Sequence, residues 1–198
     1  MIGYAKADRI NAAEIGSAHF LGAVEEKFER FIYERMLSDK AKNVILKEAE
    51  DAFANCVDDA DAPLGIWQGE FWGKLIVSAC RACKYTGNGD LKNTIRESVH
   101  RIMGFAREDG YLGTYKDEKL VFRAPIEFGR EKMGWDCNWN WNIWCRKYTL
   151  WALLEAYELL GEPEILDLAV YIFLKVSYEL GDAQFIRFLT IEPVPRRL

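Results

Sequence analysis

Three short stretches of this 198-residue chain concentrate aromatic rings, amides and carboxylates. The first is Trp67-Gln68-Gly69-Glu70-Phe71-Trp72. Indole faces pack on the C–H patches of sugars, while Gln and Glu exchange hydrogen bonds with hydroxyls. The same residues also suit a helix start packing into a core, with Glu70 favoured by the N-terminal dipole. The second stretch is Asp109-Gly110-Tyr111-Leu112-Gly113-Thr114-Tyr115. Its glycines mark tight turns, and Tyr115 is a candidate for the same space, although each residue alone also reads as turn structure. The third is Trp135-Asp136-Cys137-Asn138-Trp139-Asn140-Trp141-Asn142, running into Trp144, Arg146 and Lys147. Alternating Trp and Asn supply stacking faces and amide hydrogen bonds together, which suits a polyol; an aromatic cluster anchoring a loop is the alternative. The candidate sugar-contacting set is therefore Trp67, Gln68, Glu70, Trp72, Tyr115, Trp135, Asp136, Trp144, Arg146 and Lys147. Cleaving a glycosidic bond needs an acid opposite a nucleophile or base. Glu70, Asp109 and Asp136 are the carboxylates expected near the mouth, in binding roles; no residue is assigned to catalysis.

Other chemistries find less support. Cys80 and Cys83 share one face of a buried helix, but zinc wants two more ligands and the chain holds only His19 and His100. No metal or cofactor is therefore expected in this chain, and the two thiols read as buried and metal-free. No Ser-His-Asp set, P-loop or GxGxxG fingerprint occurs. A net charge of -5 leaves no basic excess for nucleic acid. No run approaches the roughly 18 apolar residues of a membrane span. The first residues show no apolar run after a basic patch, and five cysteines are an odd number, so reduced thiols in the cytoplasm are expected.

The elements that must position these residues are helices. Residues 20–37 put Val24, Phe28, Phe31 and Ile32 on one stripe, and residues 41–57 put Val44, Ala49 and Phe53 opposite Lys42, Lys47, Glu50 and Asp51. Residues 90–106 and 163–180 are likewise one-faced, whereas 70–86 and 143–160 are apolar almost all round. Buried helices thus alternate with amphipathic ones. Setting Gly87 on Gly161 aligns the two pairs as a repeat of buried helix, Gly turn and amphipathic helix. Stacked hairpins with inner and outer layers describe a solenoid or toroid; a plain bundle of similar hairpins is the alternative. The expectation is an all-α fold, a partial (α/α)6 toroid of helical hairpins in a single domain over 1–198, with an irregular tail over 181–198.

The runs GIWQGEFWGKLIVSACRACKYTG, EDGYLGTY and GWDCNWNWNIWCRKYTLWALLEAYELLG resemble the N-terminal portion of the β-L-arabinofuranosidase-like glycoside hydrolase family 127 group. The resemblance covers residues 40–180 and implies an (α/α)6 barrel. It also implies a cysteine nucleophile held with a glutamate and further cysteines around zinc, all in the later half of the barrel. No segment here matches that half, so zinc belongs to a complete homologue. At about 50 residues per hairpin, six hairpins need about 300 residues. The implied activity is hydrolysis of plant-type or related oligosaccharides, with this chain a fragment that holds sugar-binding elements and lacks the nucleophile region. The rival is a non-catalytic helical carbohydrate-binding or interaction module. Lys147 stands roughly where several members carry a histidine, a departure that bears on sugar specificity. The partner is carbohydrate, and the uncovered sides of a half-barrel predict self-association.

Overall fold

A computed structural model describes residues 14, 17, 19–57, 67–116 and 141–190, with backbone alone at 141 and 178–190. Six α-helices occupy these residues: α1 (Ala23–Arg30), α2 (Lys47–Asn55), α3 (Gln68–Thr86), α4 (Gly89–Met103), α5 (Trp141–Leu160) and α6 (Pro163–Thr190). Among the described residues there is no strand, so the all-helical expectation holds. No described helix is long and apolar enough to cross a membrane.

The glycines end the inner helices as expected. Gly87 closes α3 at φ 66° with its N–H on the Cys83 carbonyl, and Gly161 follows α5 at φ 74°. A side chain at either position would be strained in the left-handed region. Asn88 then caps α4, its Oδ1 accepting from the Leu91 N–H at 2.8 Å, and Pro163 opens α6 where a missing N–H costs nothing. The outer helices bury the stripes their periodicity predicts: Leu91, Ile95, Ser98, Val99 and Ile102 in α4, and Ile165, Ala169, Ile172 and Val176 in α6. One boundary differs. The helix expected to stop near residue 180 continues to Thr190, so 181–190 is helical rather than an irregular tail. Gly181 weakens a helix interior by about 1 kcal/mol without terminating it, and the next proline is Pro193.

The first two helical stretches depart further from expectation. α1 continues into a π-helical turn, Phe31–Met36, and a second, Ala41–Leu46, leads into α2. A π turn carries an extra residue, so the face beyond it is rotated from the α-helical register. Val44, expected inside, is exposed, and Glu50, expected on the polar face, is 1% exposed. Its carboxylate is satisfied there: Ser98 Oγ donates to Glu50 at 2.7 Å, Arg101 pairs with it, and Trp72 Nε1 donates to Ser98 at 3.0 Å. This buried polar chain ties α2, α3 and α4 together.

The two inner helices, α3 and α5, run in parallel, side by side. A Cβ built on Gly69 would lie 3.0 Å from Cys145 Cβ, and one on Gly73 would lie 2.5 Å from the Tyr148 carbonyl. At the other end Arg81 pairs with Glu155, and Lys84 with Glu155 and Glu158. Arg81–Glu155 and Lys84–Glu158 are each separated by 74 residues, the offset that aligns Gly87 with Gly161. Equivalent repeat positions are therefore neighbours in space.

Candidate functional site

Because α3 and α5 are parallel, their starts share one end of the inner layer, and the 109–116 turn is wedged between them. A Cβ on Gly69 would meet Thr114 Oγ1 at 3.3 Å as well as Cys145, so a side chain there would push the turn or α5 back by tenths of an ångström. The turn is built from its own residues. Gly110 adopts φ 84° beneath the Tyr171 ring of α6, and Asp109 accepts from the Tyr111 N–H at 3.0 Å. Tyr111 donates to the Tyr115 carbonyl at 3.0 Å, and its buried ring lies 5.3 Å from the Arg146 guanidinium and 4.6 Å from that of Arg107. Burial pushes the Tyr111 hydroxyl well above the ordinary phenol range, so it stays a neutral donor.

Along α5 the rings of Trp144, Tyr148 and Trp151 succeed one another at helical spacing, 5.3 and 6.0 Å between centroids. Cations interleave with them. Lys147 Nζ lies 3.9 Å from the Trp144 ring centroid and 4.5 Å from that of Tyr148. Lys74 Nζ lies 4.7 Å from Tyr148, and Arg81 lies 5.3 Å from Trp151. Such contacts contribute about 0.5–2 kcal/mol each according to exposure. Two carboxylates complete the ladder: Glu70 pairs with Lys74 at 2.7 Å, and Glu155 takes Arg81, Lys84 and Trp151 Nε1. Burial alone would raise the Glu155 carboxyl, but Lys84 and Arg81 hold it below its ordinary value, so it is ionised at neutral pH.

The predicted residues separate by place. Glu70 and Gln68 are half-buried and Trp67 is 45% exposed, all at the start of α3. Trp144 and Lys147 stand at the start of α5, with Trp144 at 9% exposure. Trp72 turns instead toward the outer layer, fully buried, edge-on to Phe53 and bonded to Ser98. Tyr115 is buried within the turn and Arg146 is buried beside it, where its guanidinium faces the Tyr111 ring. Trp135 and Asp136 lie outside the described residues. Lys74, Arg81, Tyr148, Trp151 and Glu155 join the seam without being among the sequence candidates. The signal was present: Arg81 and Lys84 face acids when the two repeats are set 74 apart.

The zinc that the sequence resemblance implies finds no matching set among the described residues. Cys80 is buried with its thiol pushed up to about 12, and Cys83 donates to the Asn88 carbonyl at 3.4 Å. The described group of three side chains able to converge on an ion, His100 with Glu162 and Glu164, contains no thiol.

The described residues thus form helical hairpins whose two parallel inner helices start at one common end. Residues 17–190 match the model of the beta-L-arabinofuranosidase GH127 catalytic domain, and the chain belongs to that glycoside hydrolase family. The family implies a carbohydrate substrate. No curated protein and no solved structure matches the chain.

Proposed function

We propose that this chain is the sugar-contacting part of a GH127-type hydrolase acting on plant-type or related oligosaccharides, with the reaction's nucleophile carried elsewhere in the complete enzyme. The observation that carries this reading is the common end of α3 and α5, where Trp67, Gln68, Glu70 and Trp144 start neighbouring parallel helices. Glu70, paired with Lys74 at 2.7 Å, takes a binding role toward sugar hydroxyls in this reading. Saturation-transfer NMR of the full chain with a monosaccharide panel, L-arabinose included, tests the site. Glu70→Gln and Trp144→Ala should each weaken binding about tenfold, the worth of one charged hydrogen bond or one stacking face. Unchanged binding in both variants rejects it. Cleavage of an oligosaccharide by the complete enzyme separates a hydrolase from a binding module.

The same reading extends the hairpins into an (α/α)6 toroid. α3 receives α5 on the stripe that includes Gly69, Gly73 and Lys84. Adding 74 gives Ile143, Lys147 and Glu158 on α5, and the fully buried Cys80 maps onto Leu154, which is 41% exposed. That stripe is what a further inner helix would occupy. The described hairpins α3–α4 and α5–α6 would make part of such a ring, and association through this face should appear in light scattering of the isolated chain. A monodisperse monomer with a cooperative melt counts against it.

A further inference from the structure

The turn between α5 and α6 differs from its repeat mate in one respect. Asn88 uses its side chain to cap α4, but the equivalent Glu162, 74 residues on, sends its carboxylate across to the neighbouring outer helix. There Glu162 Oε2 lies 2.6 Å from His100 Nε2, and Oε1 accepts from Arg96 Nε at 2.7 Å. Glu164, in the first turn of α6, brings a second carboxylate. One ligand atom from each of His100, Glu162 and Glu164 lies within 4.8 Å of the others. Arg96 is itself oriented by Asn93 Oδ1 at 3.0 Å, so the Glu162 carboxylate is fixed from its far side.

We propose that His100, Glu162 and Glu164 form a divalent-cation site that clamps the α3–α4 hairpin to the α5–α6 hairpin. An imidazole nitrogen and two carboxylate oxygens suit zinc, cobalt or manganese, leaving the remaining positions to water. The ligands come from two hairpins, so the ion bonds α4 to the α5–α6 turn. Glu162 follows the far end of α5, whose last residue, Leu160, lies about 24 Å along the helix axis from Trp144 at a rise of about 1.5 Å per residue. The role is therefore structural and separate from the carbohydrate end. Binding displaces the His100–Glu162 contact, and the Arg96 charge opposes the incoming cation.

Cobalt(II) titration of the EDTA-treated full chain, read by visible absorption and by thermal melting, tests the site. The expected result is saturable 1:1 binding with nitrogen and oxygen ligation, no thiolate charge-transfer band, and a raised Tm. His100→Ala should weaken binding about tenfold or more and remove the Tm shift. Arg96→Gln should tighten binding about tenfold, because one nearby positive charge is gone. The proposal is overturned if no saturable shift occurs, if the shift survives His100→Ala, if a thiolate band shows that cysteines hold the ion, or if Arg96→Gln lowers Tm equally with and without cobalt.

Discussion

The two ends of the seam between α3 and α5 are built on different principles. At the starts of the helices the backbones touch: Gly69 and Gly73 present no side chain, and the space a Cβ would fill belongs to Cys145, Thr114 and the Tyr148 backbone. Toward the far end the gap is bridged by Arg81 and Lys84 reaching Glu155 and Glu158. Close backbone contact fixes position through repulsion, which is steep and insensitive to pH or salt. Ion pairs fix it through long side chains and depend on protonation and screening. The end that carries Glu70, Trp144 and the buried turn is the one where backbone meets backbone at Gly73, so that contact sets the spacing of the two helix starts.

The sharpest way to break the rigid end is Gly73→Ala. Its Cβ would lie 2.5 Å from the Tyr148 carbonyl carbon and oxygen, and backbone cannot move aside cheaply. A loss of about 3 kcal/mol, the upper part of the overpacking range, is expected in urea denaturation, with the α3–α5 spacing widened. A Gly73→Ala protein as stable as the parent would show that the helices do not meet there.

At the charged end, Glu155→Gln should cost about 2 kcal/mol at neutral pH, the scale of a hydrogen-bonded charge with partly exposed partners. The pH dependence follows from direction. The Glu155 carboxyl sits below its ordinary value of 4.5 in the folded protein, so its contribution is present above that value and is lost as pH falls through the lower, folded one. Parent and variant stabilities should therefore converge in acid, and denaturation curves from pH 7 to pH 3 measure this, each pH being about a unit or more from the ordinary carboxylate range. A constant gap across that range would remove the ion pair from the account. The smallest effect belongs to Gly69→Ala. The Cys145 Cβ at 3.0 Å and the Thr114 side chain at 3.3 Å can shift by tenths of an ångström, so about 1 kcal/mol is expected. A loss equal to that of Gly73→Ala would show that the turn is as unyielding as the helix backbone.

What the sequence determined by itself is local or periodic. A one-faced 3.6-residue pattern defines α4 and α6, because burial of one stripe is the only way such a helix lowers its free energy. Gly87 and Gly161 mark the turns, because a left-handed residue is cheapest as glycine. The aromatic and carboxylate stretches at the starts of α3 and α5 were also legible, and the 74-residue offset placed those starts at a common end. Only the tertiary structure decided which way each side chain faces. Two π turns rotate the register and bring Glu50 inside, which no periodic count anticipates. Trp72 and Trp67 share one short motif, yet Trp72 is sealed against Ser98 while Trp67 is exposed, because five residues of helix carry the chain a turn and a half around its axis. Glu162 stands at a cap position and reaches for Arg96 and His100 instead, because the neighbouring helix offers its carboxylate a charged guanidinium, a stronger donor than its own backbone N–H.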